Sequence, residues 1–251
     1  MIETKERIQL PMMALRGLTV FPNMAISFPV GRQKSLDALE VADEGDKRIF
    51  LVAQRDPEDA SPKQMGLYEF GTVATIKQIL KLPGNMTHVI VEGVIRGRLE
   101  TVQHKRKCDY AEITTIAQDF PELPEVHTAA EMRIAQDLYE EYAKFVPNTT
   151  AVDLLPNVLA SGKPGKLADV IAAGLEISFD RKQRILEILN PYDRLQAVME
   201  IMRYEQQVLR VKREIEAKTK DAIDKNQREY FLREELKVIQ EELGDKRRYR
   251  R

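Results

Sequence analysis

The chain has 251 residues, with 39 Lys and Arg against 40 Asp and Glu and a net charge of −1. That balance excludes a bulk electrostatic pull toward nucleic acid or anionic membranes, and a hydrophobic share of 43% excludes general disorder. The length suits two modest domains. The single cysteine rules out an intrachain disulfide and fits a reducing compartment. With no apolar run of about 18 residues and no signal-peptide core, the expected compartment is the cytoplasm.

IQLPMMAL (8–15) and AISFPV (25–30) read as strands, and the apolar run RIFLVAQ (48–54) reads as a buried one. SLDALEVADEG (35–45) reads as a short helix with Leu36, Leu39 and Ala42 on one face and Gly45 as its stop. TVATIKQILKL (72–82) and MTHVIVEGVI (86–95) flank Pro83-Gly84-Asn85, which predicts a hairpin. RLETVQ (98–103) and DYAEITTIAQ (109–118) continue as strands, and Gly93 and Gly97 predict bulges or sharp bends. Residues 1–118 are therefore expected to form a small, strongly bent sheet or partly open barrel with one short helix.

The acidic DFPELPE (119–125), with two prolines, reads as a linker. HTAAEMRIAQDLYEEYAKF (127–145) predicts a helix with Ile134, Leu138, Tyr142 and Phe145 on its apolar face, stopped by Pro147. AVDLLPNVLA (151–160) reads as an interrupted helix, and Pro164 opens another in which Leu167, Val170, Ile171 and Gly174 follow one face. Asp180 and Gln183 resemble a capping box for 181–190, and Asn190-Pro191 ends that helix and starts the next. The class expected is α+β: the sheet domain, a helical bundle over 126–190, and a long helix over 191–245.

No Gly or Pro lies between Pro191 and Gly244. Ile201, Tyr204, Val208, Val211 and Ile215, followed by Lys218 and Ala222, step by threes and fours like a coiled-coil seam. The seam breaks in the polar stretch 219–229 and resumes on a new stripe at Leu232, Leu236, Ile239 and Leu243. Unbroken, such a helix would span roughly 80 Å at about 1.5 Å per residue. That exceeds any domain this chain can build, so a second chain or further sequence is expected to hold it.

Catalytic patterns are missing. GKPGKLAD (162–169) has the wrong glycine spacing for a phosphate loop and no Ser or Thr after the lysine. His88, His104 and His127 share no metal-ligand spacing. Ser27, Ser35, Ser61, Ser161 and Ser178 lie in no G-x-S-x-G elbow. The basic HKRK (104–107), near Tyr110, is a nucleic-acid candidate that reads more simply as a solvated loop. Cys108, beside His104, Lys105 and Lys107, is either a thiol of lowered pKa or a structural one. No catalytic, cofactor or metal site is expected.

LPMMALRGLTVFPNM (10–24), with Arg16 and the Phe21-Pro22 pair, resembles the opening of Lon-type ATP-dependent proteases. Val30-Gly31-Arg32 with Ser35, FLVAQRD (50–56), GTVATIKQILKLP (71–83), VEGVIRGRLE (91–100) and DKNQREYFLREELKVIQEELGD (224–245) are similar to that family in the same order. The resemblance covers about residues 8–245, and the basic tail KRRYRR (246–251) is foreign to it. It implies a PUA-like β-rich domain, a helical bundle and a long helix. It also implies the non-catalytic substrate-recognition and assembly region of a hexameric serine endopeptidase that degrades misfolded and short-lived regulatory proteins, cut before its ATPase. ATP and Mg would then belong to the whole protease, with none bound here. The implied partners are unfolded or degron-bearing proteins and further copies of the chain, as monomer or dimer when the chain is alone, with no membrane.

A surface that captures many clients should be apolar and adaptable, which methionine supplies. Met24 follows Pro22 in an expected loop, and Met86 adjoins the hairpin tip near Leu82, so Pro22, Met24, Leu82 and Met86 are the candidate substrate contacts. Two other classes remain at this stage: a free-standing PUA-like RNA-binding protein, and a client-binding adaptor with no attached enzyme.

Overall fold

A computed structural model describes residues 6–82, 86–116, 124–146, 159 and 162–248, and the side chains in those ranges apart from 82, 86 and 242–248. The chain forms two compact units, Met1–Arg203 and Tyr204–Arg251. The fold is α+β, as expected. In the first unit the strands are β1 (Arg7–Leu15), β2 (Ala25–Val30), β3 (Arg48–Ala53), β4 (Phe70–Leu82), β5 (Met86–His104) and β6 (Asp109–Thr115). The helices are α1 (Gln33–Glu44), between β2 and β3, then α2 (Glu125–Ala143), α3 (Pro164–Gly174), α4 (Phe179–Glu187) and α5 (Pro191–Arg248), which runs on into the second unit.

The strands form one sheet in the order β2-β5-β4-β3-β1-β6, with β5 also paired to β6. The sheet thus bends back on itself along β5. Only β1 and β3 pair in parallel, joined through β2 and α1. Successive side chains of a strand point to opposite faces, and β3 is buried on both. Ile49 and Leu51 join a core with Met13, Leu15, Phe28, Leu39 and Val91, while Phe50 and Val52 join another with Leu10, Leu99 and Ile113. Each fully buried Leu or Phe contributes about 1.5–3 kcal/mol. This two-sided burial explains why β3 reads as an apolar run and not as an alternating pattern.

RLETVQ is not a separate strand: β5 runs unbroken for 19 residues. Its bend comes at Val94, an extra residue between Gly93, opposite Ala74, and Ile95, opposite Val73. Gly93 is required by close approach, because a Cβ there would lie 2.2 Å from the Phe21 carbonyl oxygen. Pro83-Gly84-Asn85, the linker residues 119–123 and 151–158 lie outside the described residues.

The helical region corrects several expectations. The buried face of α2 is Met132, Ala135, Tyr139 and Tyr142, whereas Ile134 is 47% exposed and Leu138 and Phe145 are half-buried. The small Ala135 sits in a face that packs on α3, so close helix approach outweighs side-chain hydrophobicity. α3 is buried over Leu167–Ala172 on all sides, not along one stripe, and Gly174 is only half-buried. Asp180 and Gln183 form no capping box: the N-cap is Ser178, without a side-chain cap bond. Asp180 instead accepts from the Tyr68 hydroxyl at 3.0 Å, and Gln183 donates to the Phe70 carbonyl at 2.9 Å. Both tie α4 to the segment entering β4.

A third tie is buried and ionic. Asp169 of α3 is fully buried between Arg96 of β5 and Arg194 of α5. Arg96 donates twice to this carboxylate and once to the Leu186 carbonyl, and Arg194 also serves the Ile188 carbonyl at 2.6 Å. Burial pushes the Arg194 guanidinium down to about 10, opposed by Asp169 and reinforced by Arg96. Asn190 caps α5 as expected, accepting from the Tyr192 amide at 2.9 Å.

Candidate functional site

β1 pairs with β6 only through Pro11, so from Met12 onward its outer edge meets no strand. β2 pairs with β5 alone. Where these edges end, the sheet opens into a cleft of about 470 Å³, lined by Met13, Leu15 and Phe28 on β1 and β2 and by Arg16, Arg32 and Ser35 beyond them. That volume lies within the range of small-ligand sites. The floor is apolar and buried, while Arg16 and Gly31 stand exposed at the rim.

Arg32 closes part of the open edge. Its guanidinium donates to the Ala14 carbonyl, which no strand takes, and to Gln54 Oε1 at 3.1 Å. Gln54 is fully buried, and its amide donates to the carbonyls of Asp56 and Asp59. Arg16 reaches the Asp59 carbonyl at 3.2 Å. One buried amide thus fixes the loop after β3 and one guanidinium, while the loop anchors the other. Neither arginine has an ion pair among the described residues. Burial, then repulsion from Arg16, lowers the Arg32 pKa against the attraction of Asp59. The Asp59 carboxylate itself accepts from the Ser61 amide.

The four expected contacts stand along β5, two beside Gly93 and two at its start. Pro22 is buried and Met24 half-buried. Their turn is clamped on Gly93, whose amide donates to the Met24 carbonyl while the Asn23 amide donates to the Gly93 carbonyl. Leu82 and Met86 are paired at the other end of β5, and their side chains lie outside the described residues. The seven residues from Met86 to Gly93 put about 23 Å between the two ends at ~3.3 Å per residue. Arg16, Arg32 and Gln54, absent from the expected set, are instead brought together. They stand in three of the stretches that carry the family resemblance, but sequence alone does not show that those stretches converge.

Three side chains of the basic run are engaged locally, one of them in an ion pair between permanent charges. His104 Nδ1 lies 2.8 Å from Asp109, Lys107 pairs with Glu40 at 2.9 Å, and Lys105 sits 4.0 Å from the centre of the Tyr110 ring. Cys108 is buried in the core, and burial and Asp109 raise its pKa, the opposite direction to an activated thiol. No helix of the described residues is long and apolar enough to cross a membrane.

On the long helix, Leu195, Val198, Met199 and Met202 are buried and Ile201 is half-buried. Tyr204, Val208, Val211 and Ile215 are between 42% and 59% exposed, and Leu232, Leu236 and Ile239 are exposed as well. Leu243 follows on the helix with its side chain outside the described residues.

The model of the ATP-dependent protease La (LON) substrate-binding domain matches residues 9–204, across the sheet, the cleft and the packed helices. The chain belongs to the Lon substrate-binding domain family. It is 40% identical over 243 residues to a Lon protease of Clostridium acetobutylicum, covering 96% of this chain and 31% of that protein. Against a Lon protease of Brevibacillus choshinensis it is 38% identical over 244 residues, covering 97% of this chain and 31% of that protein. It therefore spans about a third of these Lon relatives. The N-terminal domain of a Mycobacterium avium complex Lon protease shares the fold, with TM-score 0.62, 16% identity, and 78% of this chain and 98% of that one covered. A Lon N-terminal domain protein of Xanthomonas campestris does too, with TM-score 0.54, 15% identity, and 77% and 98% covered.

Proposed function

We propose that this chain recognises protein substrates for an ATP-dependent Lon-type serine endopeptidase of the cytoplasm and catalyses nothing itself. The supporting observation is the match of residues 9–204 to a Lon substrate-binding domain. The clients are misfolded and short-lived regulatory proteins, and ATP and Mg serve the ATPase of such a protease. The half-buried Met24 and the residues at the β4–β5 hairpin tip contact separate parts of an extended client. The exposed apolar stripe on α5 joins copies of the chain, as a hexameric protease requires.

Anisotropy titrations of a labelled client, unfolded and native, test this reading. Saturable binding of the unfolded form alone supports it. Equal or absent binding of both forms contradicts it.

A further inference from the structure

The cleft between β1 and β2 has a composition that client capture in general does not explain. Its floor (Met13, Leu15, Phe28) is apolar, and its positive side carries two guanidiniums without a carboxylate partner among the described residues. Asp59 is the acidic neighbour whose charge reaches Arg32, and its carboxylate is engaged by a backbone amide. The first turn of α1 adds no acidic side chain. An occupant should therefore carry a negative charge and an apolar group close together.

We propose that this cleft takes the free C-terminal carboxylate of a protein substrate, with the last apolar side chain seated on Met13, Leu15 and Phe28. This deepens the reading that the chain recognises protein substrates, and it rests on it. A chain terminus joins a planar carboxylate to an apolar side chain on one residue, and about 470 Å³ accommodates one or two residues. Arginine suits a carboxylate because its planar fork can donate two parallel bonds. Arg32 is held by Ala14 and Gln54, which orients it without neutralising it. Arg16 is exposed and, among the described residues, tethered by one bond to the Asp59 carbonyl, so it can turn onto the ligand. An internal Asp or Glu would bring the charge without the apolar group, and both flanking chain segments would have to leave the cleft. A phosphodiester would meet an apolar floor.

The test uses the full 251-residue chain and labelled ten-residue peptides ending in leucine, as free acid or C-terminal amide. Anisotropy should show the acid binding about tenfold or more tightly, the range of a charge-assisted hydrogen bond. Arg16→Gln, which leaves Arg32 in place, should reduce that difference. Gly31→Leu is a second variant: Gly31 lines the cleft, and a Cβ there meets nothing within 4 Å. It should block the acid peptide while the melting temperature holds. Equal binding of acid and amide overturns the proposal, as does binding of an amidated peptide with an internal Asp as tightly as the acid. If either occurs while an unfolded protein still binds, substrate recognition stands and only the terminal pocket falls. If neither peptide nor unfolded protein binds, both readings fall.

Discussion

At the scale of residues, two buried polar side chains, Asp169 and Gln54, hold parts of the first unit together. Asp169 sits between two arginines, and replacing it by Ala leaves both cations buried with their shared counter-ion gone. The expected loss is about 3–5 kcal/mol, read as a lower denaturation midpoint. Gly165 is fixed by the same cluster, since a Cβ there would lie 2.6 Å from Arg194 Nη2 and 2.9 Å from Pro191 Cβ. Gly165→Ala should cost about 1–3 kcal/mol through overpacking, again by denaturant titration. Gln54→Ala removes the amide that joins Arg32 to the 56–59 loop and should cost about 1–3 kcal/mol. It should also loosen Arg32, which a lower acid-over-amide preference for the terminal peptide would report. None of these roles was visible in the sequence. Asp169 lies in a helix that otherwise reads as apolar, and Gln54 ends an apolar strand. A partner many residues away leaves no local spacing to find. Asp180 and Gln183 show the converse: they match a local capping pattern, yet their partners are Tyr68 and Phe70.

At the scale of elements, the strands were legible because period-two alternation and turn residues are local. β3 was read correctly from its apolar run alone. β5 reads as two strands because Gly93 and Gly97 look like breaks, whereas Gly93 makes room for Phe21 and the strand continues through a bulge. On α2 hydrophobicity favours Ile134 as the inner residue, whereas packing buries the smaller Ala135. The stripe on α5 was legible as a heptad pattern, and most of it is exposed in the single chain. If it joins copies of the chain, sedimentation should show a larger species at rising concentration. Val211→Glu with Ile215→Glu should return the monomer without moving the melting transition of the sheet unit. A strict monomer at every concentration would assign assembly to other parts of a Lon protease.

At the scale of the whole molecule, the sheet and its packed helices form one unit and the outer part of α5 another. The chain spans about a third of its Lon relatives, and the substrate-binding family model covers residues 9–204 of it. The sheet unit is tied shut where Asp169 bridges Arg96 and Arg194, and it is open at the cleft lined by β1 and β2. Substrate should therefore mark the open place. Amide hydrogen exchange with and without a saturating unfolded client that has a free, apolar C-terminus tests this most directly. The expected result is slowed exchange over 12–18 and 28–36, at the cleft, with α3 unchanged. Slowed exchange confined to 204–241, with no change at the cleft, would contradict it.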